Sequence, residues 1–394
     1  MIKLNWGHKF FLPARGITTI LSLIFALFYS RELGLLSRSY LALIMTSSIL
    51  IIISLTSGTT LTLRALKARK TILDNTPSFN SLILCELVFG FSLFYIVLLF
   101  FSEFRFQIHP NLLIVALIYF LVSFVHLILF EILIALGDFK FVSICDISTI
   151  VLQIIYFSMF YSLENISILN RLLFSFILSY ICIIAFIFRR LQVNYTYSSK
   201  LSNPIGFLNK CKGNHSIGIA IGVSDRIDRI IIAWFLPLSL LGKYAVMSSF
   251  ISFLRFIPEG AAKLFISARS EDWKRYLGDK YFRIGLFILV LTFVISSRFV
   301  IDYALGPQWI LPWNIYFLFA SQELLRGVFL LKANSIILAG NSSKSNSASL
   351  GVMLTAIPLA IMLSWSIGIA GIPAGFCISY ALMYSYLNLK LSSD

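Results

Sequence analysis

Charged residues, cysteines and enzyme motifs are all scarce in this chain of 394 residues. Charged side chains make up 12% of the sequence, which is about half of what soluble domains carry. The five cysteines are odd in number and scattered, which indicates neither a disulfide framework nor a metal site. The sequence has no P-loop, no Gly-rich nucleotide fingerprint and no paired Cys or His arrangement with metal-ligand spacing. We therefore predict a protein that is not an enzyme.

Long apolar runs dominate instead, and 59% of the residues are hydrophobic. Runs of about 20 apolar residues recur along the whole chain, as is typical of membrane-spanning helices. The predicted spans are residues 10–30, 39–57, 80–101, 111–134, 141–163, 171–188, 216–236, 241–262, 283–303, 310–335, 346–367 and 369–389. The sequence thus predicts an all-α integral membrane protein with about twelve transmembrane helices.

The longest connector between these spans is rich in Ser, Asn and Lys and follows the sixth one. It predicts an N-terminal six-helix bundle at 1–190, a cytoplasmic linker at 191–215 and a C-terminal six-helix bundle at 216–394. Each half also contains a similar turn, Leu33–Tyr40 before the second span and Leu238–Tyr244 before the eighth. Both turns fall on the same side of the membrane, so the echo indicates a parallel repeat, a plan that recurs in transporters.

The formal net charge is +15, and its distribution along the loops favours a membrane over nucleic acid as the partner. With the N-terminus inside, the Lys and Arg residues outside the spans are concentrated in the cytoplasmic segments, as the positive-inside rule requires. The few that fall on the opposite side are Arg31, Arg38, Arg105, Arg171, Lys243 and Arg298. We predict a multi-pass protein with both termini in the cytoplasm, with basic loops that contact anionic lipid headgroups.

The span at 216–236 carries Asp225, Arg226, Asp228 and Arg229 near its middle. An Asp or Arg at a helix centre costs about 2.5–3.5 kcal/mol on insertion scales, so these side chains must face protein or water. Asp225 and Arg229 are four residues apart with the acid first, the favourable order for an ion pair on a helix. Two interpretations stay open, a self-neutralising cluster that joins helices and a cluster that leaves a guanidinium exposed to a cavity.

Other spans carry deep arginines as well, whereas no lysine lies comparably deep. A guanidinium stays charged when buried and binds phosphate or carboxylate with two parallel hydrogen bonds, so the set predicts an anionic ligand. The predicted substrate-binding cations are Arg15, Arg226, Arg229, Arg255 and Arg326. The predicted supporting or coupling acids are Asp146, Asp225, Asp228 and Glu323. Asp146 either binds a coupling H⁺ or Na⁺ or bonds to a neighbouring helix, and no other cofactor is expected.

Several segments resemble the polysaccharide-export branch of the MOP flippase superfamily, in particular the Wzx-type O-antigen flippases. They include Arg31-Glu32-Leu33-Gly34 leading into Tyr40, Asp225-Arg226-Ile227-Asp228-Arg229 followed by Gly242-Lys243-Tyr244, Lys332-Ala333-Asn334, and Gly368 to Gly375. The resemblance implies a MATE-like fold with two six-helix bundles around a central cationic cavity. It also implies alternating-access transport of an undecaprenyl-pyrophosphate-linked oligosaccharide across a bacterial cytoplasmic membrane, for O-antigen or other surface polysaccharide.

The resemblance further implies a protein that acts as a monomer, with a lipid-linked anionic glycan as substrate and other glycan-assembly membrane proteins as partners. Two alternatives remain. A multidrug or cation antiporter of the same superfamily would show efflux that depends on an intramembrane acid such as Asp146. A membrane-embedded glycan polymerase or ligase would ordinarily need a sizeable external loop to hold its acceptor, and the predicted external loops are short.

Overall fold

The structure, a computed structural model, describes residues 6–68, 76–104, 108–194, 219–220, 222–224, 226–255, 280–338 and 342–391. Every regular element in these ranges is a helix. The helices are α1 (Trp6–Ala68), α2 (Thr76–Phe104), α3 (Pro110–Leu136), α4 (Phe139–Tyr161), α5 (Ile168–Asn194), α6 (Leu238–Ile251), α7 (Lys280–Leu305), α8 (Trp313–Leu338), α9 (Ser342–Ile367) and α10 (Gly371–Leu391). Residues 226–235 are also helical.

The long helix α1 is two helices that meet at Gly34. Gly34 has φ 69° and ψ 173°, whereas the residues on either side are helical. A positive φ costs glycine nothing because it has no Cβ, so the chain kinks here at a single residue. This is the place where the sequence predicts the turn between the first two spans.

Six helical stretches in the described ranges are long and apolar enough to cross a membrane. They are Pro13–Thr56, Leu82–Glu103, Pro110–Ile134, Phe139–Tyr161, Ile168–Leu191 and Lys344–Asn388. Many large apolar side chains on them point outward, among them Val88 at 61% and Trp365 at 72% exposure. An outward apolar surface of this extent fits a lipid environment rather than water. The full count of twelve spans stays a prediction.

The chain forms two compact units whose boundary is not a single point in the sequence. Among the described residues, the N-terminal unit comprises residues 6–22 and 44–226, and the C-terminal unit comprises residues 23–43 and 227–391. The predicted division at a linker over 191–215 stays a prediction, because most of that linker lies outside the described residues.

Aromatic and aliphatic packing fills the N-terminal unit. The rings of Phe94 on α2 and Phe120 on α3 stack with their centroids 4.7 Å apart. Next to them, Gly90 lets α2 approach closely, since a Cβ there would lie 2.9 Å from a methyl group of Leu55. The helices α3, α4 and α5 share a further apolar cluster that includes Leu133, Val142 and Ile187. The tight fit holds the helices of this unit at fixed positions.

In the C-terminal unit, the residues just after Gly34 pack against the start of α6. The Ser39 hydroxyl donates to the carbonyl oxygen of Leu238 at 2.7 Å. A Cβ on Gly242 would lie 2.6 Å from the carbonyl oxygen of Leu35, so only glycine allows this approach. The two turn segments that echo each other in sequence therefore contact each other in the structure.

Candidate functional site

The helix at residues 226–235 carries the charged cluster that the sequence singles out, and Asp228 is its buried acid. Asp228 is 3% exposed. Its Oδ1 accepts from the backbone N–H of Arg229 at 2.8 Å, and its Oδ2 accepts from the Tyr244 hydroxyl at 2.9 Å. Both oxygens therefore bind uncharged donors, and the carboxylate ties this helix to α6.

Arg229 follows Asp228 directly but forms no ion pair with the acids that the structure describes. Its Nη2 donates to the Ser248 hydroxyl at 2.9 Å, and that hydroxyl in turn donates to the carbonyl oxygen of Ala245 at 3.1 Å. The Nε of Arg229 is buried and makes no hydrogen bond to any described residue. The guanidinium is thus held in place by a neutral group and is paired with no acid among the described residues.

Arg38 brings a second guanidinium close to Arg229. The sequence predicts that Arg38 lies in an outer loop. Arg38 is 4% exposed; its Nε donates to the Ser30 hydroxyl at 3.1 Å, and its Cζ lies 5.2 Å from the centre of the Tyr29 ring. Arg38 and Arg229 lie near enough for their positive charges to repel each other. No carboxylate of the described residues lies within ion-pair distance of Arg38.

The signal that could have identified Arg38 is the shortness of the turn. Because the kink involves Gly34 alone, the next helix begins at once and Arg38 already lies one turn inside it. Such a position is part of a span rather than of a loop. We refer to Ser30, Arg38, Asp228, Arg229, Tyr244 and Ser248 as the arginine cluster.

Helix α8 places a further acid and arginine beside the arginine cluster. Glu323 and Arg326 are 3% and 2% exposed. The charge of Glu323 acts on the hydroxyl of Tyr244, and the ring of Phe319, one turn before Glu323, meets the Tyr244 ring edge-on at 5.3 Å. The predicted residues Arg229, Asp228, Glu323 and Arg326 thus all lie in the C-terminal unit, and the first three lie near Tyr244.

Arg15 and Asp146 lie in the N-terminal unit and form an ion pair. The Nε of Arg15 lies 3.2 Å from Oδ2 of Asp146, and the two side chains are 31% and 23% exposed. The pair joins the first part of α1 to α4. Asp146 thus has a guanidinium as its neighbour, a partner that the sequence did not indicate. The roles of both residues in binding or coupling stay predictions.

The remaining predicted residues are only partly described. Arg226 is half-buried in the N-terminal unit, close to the hydroxyl of Tyr119. Asp225 lies outside the described residues, and so does the side chain of Arg255, whose backbone is part of a short 3-10 helix, Ser252–Arg255. The predicted Asp225–Arg229 ion pair therefore stays a prediction.

Another buried acid, Glu86 on α2, is one that the sequence gave no reason to select. It is 6% exposed, and its Oε1 accepts from the hydroxyl of Thr59 at 2.5 Å. No group of three or more His, Cys, Asp or Glu side chains in the described ranges is placed to hold a metal ion.

No protein-family model and no curated protein matches the chain. Solved structures match over nearly its whole length. The lipid II flippase MurJ, in an inward closed conformation, is 16% identical with a TM-score of 0.69 and covers 97% of this chain and 87% of its own. An inward-facing multidrug resistance MATE family transporter of the MOP superfamily is 13% identical with a TM-score of 0.67, covering 95% of each chain.

A MATE transporter of Vibrio cholerae is 16% identical with a TM-score of 0.65, and the match covers 99% of this chain and 95% of that one. At these identities the likeness concerns the fold. The chain folds like the MATE and lipid II flippase transporters of the MOP superfamily, which confirms the predicted all-α, MATE-like fold class.

Proposed function

We propose that this chain is a flippase that moves an undecaprenyl-pyrophosphate-linked oligosaccharide across a bacterial cytoplasmic membrane for O-antigen or other surface polysaccharide. The fold supports a transporter, because its structural neighbours include a lipid II flippase and multidrug transporters. The proposed protein acts as a monomer with both termini in the cytoplasm. It delivers the translocated oligosaccharide to other glycan-assembly proteins and performs no chemical reaction itself.

The observation that carries this proposal is the pair of guanidinium groups of Arg38, which is buried, and Arg229, which is half-buried. Neither forms an ion pair with a described acid, and both are held by serine hydroxyls. Two like charges close together in an apolar bundle are costly unless an anion binds them. A pyrophosphate carries several oxygen atoms. It can therefore accept charge-assisted hydrogen bonds from both guanidinium groups at once.

The rest of the proposed substrate fits the same fold. A polyprenyl tail is as apolar as the outward side chains of the helices, so it can stay in the lipid while the headgroup crosses. The neutral sugars need a wet path but no fixed charge. Most of the binding energy is therefore expected to come from the pyrophosphate. Further cations along the path of this group are proposed to be Arg15, Arg226, Arg255 and Arg326.

The second candidate is a multidrug or cation antiporter. It is supported by the MATE neighbours, which have a similar fold and include a multidrug resistance transporter. A cation substrate needs an accessible carboxylate. Asp146 is paired with Arg15, and both oxygens of Asp228 accept hydrogen bonds from neutral donors. These contacts favour the anionic substrate over the cationic one.

The test is complementation of a strain that lacks the gene and has no paralogue. We expect the wild type and Arg31→Ala to restore the surface glycan, because Arg31 is exposed on the same helix pair. We expect Arg38→Ala and Arg229→Ala to insert normally and to lose export at least about tenfold, which is the loss of one charge-assisted hydrogen bond. A deletion strain that still displays the glycan would refute the function. Normal export by both cluster variants would make the cluster structural.

A further inference from the structure

One end of the N-terminal unit contains a cavity that the proposed function does not use. It has a volume of about 570 Å³ and lies between the start of α3 and the connection from α4 to α5. Cavities of about 300–1,000 Å³ are the size of small-molecule sites. In the proposed topology this end of the unit faces the outside of the cell, so the cavity opens where a transported glycan would arrive.

Among the residues that the structure describes, the cavity is lined by amide, imidazole and hydroxyl side chains together with apolar ones, and by no Lys, Arg, Asp or Glu. Its polar side chains are His109, Asn111, Asn165, Ser167 and Asn170. A side-chain amide offers both donors and an acceptor, which suits hydroxyl groups that themselves donate and accept. The described lining thus offers no fixed charge to balance a phosphate or an organic cation. Its chemistry therefore selects for a neutral, hydroxyl-rich ligand.

Two of these groups have hydrogen-bonding capacity that the described residues leave unused. The Oδ1 atom of Asn170 is buried and accepts no hydrogen bond from them, although its backbone N–H donates to the Ser167 hydroxyl at 3.3 Å. Nδ1 of His109 accepts from the backbone N–H of Asn111 at 3.4 Å. With Nδ1 as acceptor, neutral His109 carries its proton on Nε2 and can donate it to a ligand.

Apolar residues complete the lining, among them the aromatic ring of Phe174. A sugar presents hydroxyl groups at its edge and C–H groups on its face, so a mixed lining of amides and an aromatic ring matches both surfaces. We propose that this cavity binds one or more uncharged sugar residues of the transported glycan, as a subsite separate from the arginine cluster. The proposal rests on the proposed function for the source of the glycan.

The experiment uses the full chain in lipid nanodiscs and the delipidated repeat-unit glycan, released from the native lipid-linked oligosaccharide. Saturation-transfer NMR should detect binding to the wild type. Asn165→Ala and Asn170→Ala should weaken it at least tenfold, whereas Asn388→Ala, at an exposed asparagine on α10, should not change it. Asn165 is exposed in the connection between two helices, so its replacement does not threaten folding.

Calorimetry with inorganic pyrophosphate separates this subsite from the arginine cluster. The Asn165 and Asn170 variants should bind pyrophosphate like the wild type, whereas Arg38→Ala should bind it at least tenfold more weakly. The subsite is refuted if the glycan does not bind the wild type, or binds the wild type and both asparagine variants equally. Failure of the proposed function would be seen separately, as a wild type that does not translocate the lipid-linked substrate.

Discussion

At the scale of single residues, the arginine cluster is defined by what surrounds each charge. Asp228 is satisfied by a backbone N–H and by Tyr244, so it contributes rigidity rather than neutralisation. Arg38 and Arg229 are held by neutral hydroxyls and form no ion pair with a described acid. A guanidinium fixed in this way is already oriented for an incoming anion and loses little conformational freedom when it binds.

Arg38→Lys is expected to behave like a loss of the residue, although it keeps the charge. A lysine cannot both stack on the Tyr29 ring and offer the parallel donors of a guanidinium. We expect affinity for undecaprenyl pyrophosphate, measured by thermophoresis in detergent, to fall by about ten- to a hundredfold, since one charge-assisted bond contributes about 1.5–3 kcal/mol. Arg31→Lys is the control, and equal affinity in the two variants would contradict the prediction.

The Arg15–Asp146 pair is partly exposed, and we expect it to act mainly as a link between α1 and α4. Pairs of this exposure contribute about 1 kcal/mol or less. Arg15→Gln and Asp146→Asn should each lower the midpoint of thermal unfolding slightly, and the double variant should be no worse than the poorer single one. The unfolding midpoints of the three variants are measured with a thiol-reactive dye. If Asp146→Asn instead leaves stability unchanged and removes ion-dependent transport, the acid is a coupling site.

At this scale, the sequence is enough to select some of the site residues but not all of them. The charges at 225–229 and at 323–326 stand out because they interrupt apolar runs, and they could be selected without a structure. Arg38 is marked only by the single glycine, Gly34, shortly before it, a signal that loop counting misses because it treats every residue near a predicted turn alike. The pairing of Arg15 with Asp146 joins residues from distant helices, and no local pattern reports it.

At the scale of elements, Gly34 sets the geometry of α1. Its backbone conformation, φ 69° and ψ 173°, is essentially restricted to glycine. The helix that begins after this kink carries Arg38, and Ser39 on the same helix contacts the start of α6. The spans themselves follow from the apolar runs, because in lipid only a helix satisfies every backbone group within its own segment.

Gly34→Ala is expected to destabilise the protein by about 1–3 kcal/mol through backbone strain. No atom lies within 4 Å of the Cβ that would be added, so steric contact does not contribute. Gly16→Ala is the matched control, because its Cβ also meets nothing but its backbone is helical. This control should stabilise the protein by about 0.5–1 kcal/mol. Thermal unfolding in detergent compares the two, and equal shifts would contradict the assignment of Gly34.

At the scale of the whole molecule, composition and apolar runs are enough to predict an all-α membrane protein, because burial in lipid restricts the architecture so strongly. The division of the chain into two compact units does not follow from the apolar runs. Residues 23–43 group with the C-terminal unit although they lie near the start of the chain. The bond from Ser39 to Leu238 joins positions far apart in sequence, and only packing between distant helices decides it.

The most direct test of the central claim is translocation in proteoliposomes that contain only the purified chain and the native lipid-linked oligosaccharide. We predict that the wild type and Arg31→Ala expose the oligosaccharide on the opposite leaflet, where an added glycosidase cleaves it, and that Arg38→Ala and Arg229→Ala do so at least about tenfold more slowly. Efflux of an organic cation by the same vesicles, with no movement of the lipid-linked oligosaccharide, would contradict the account.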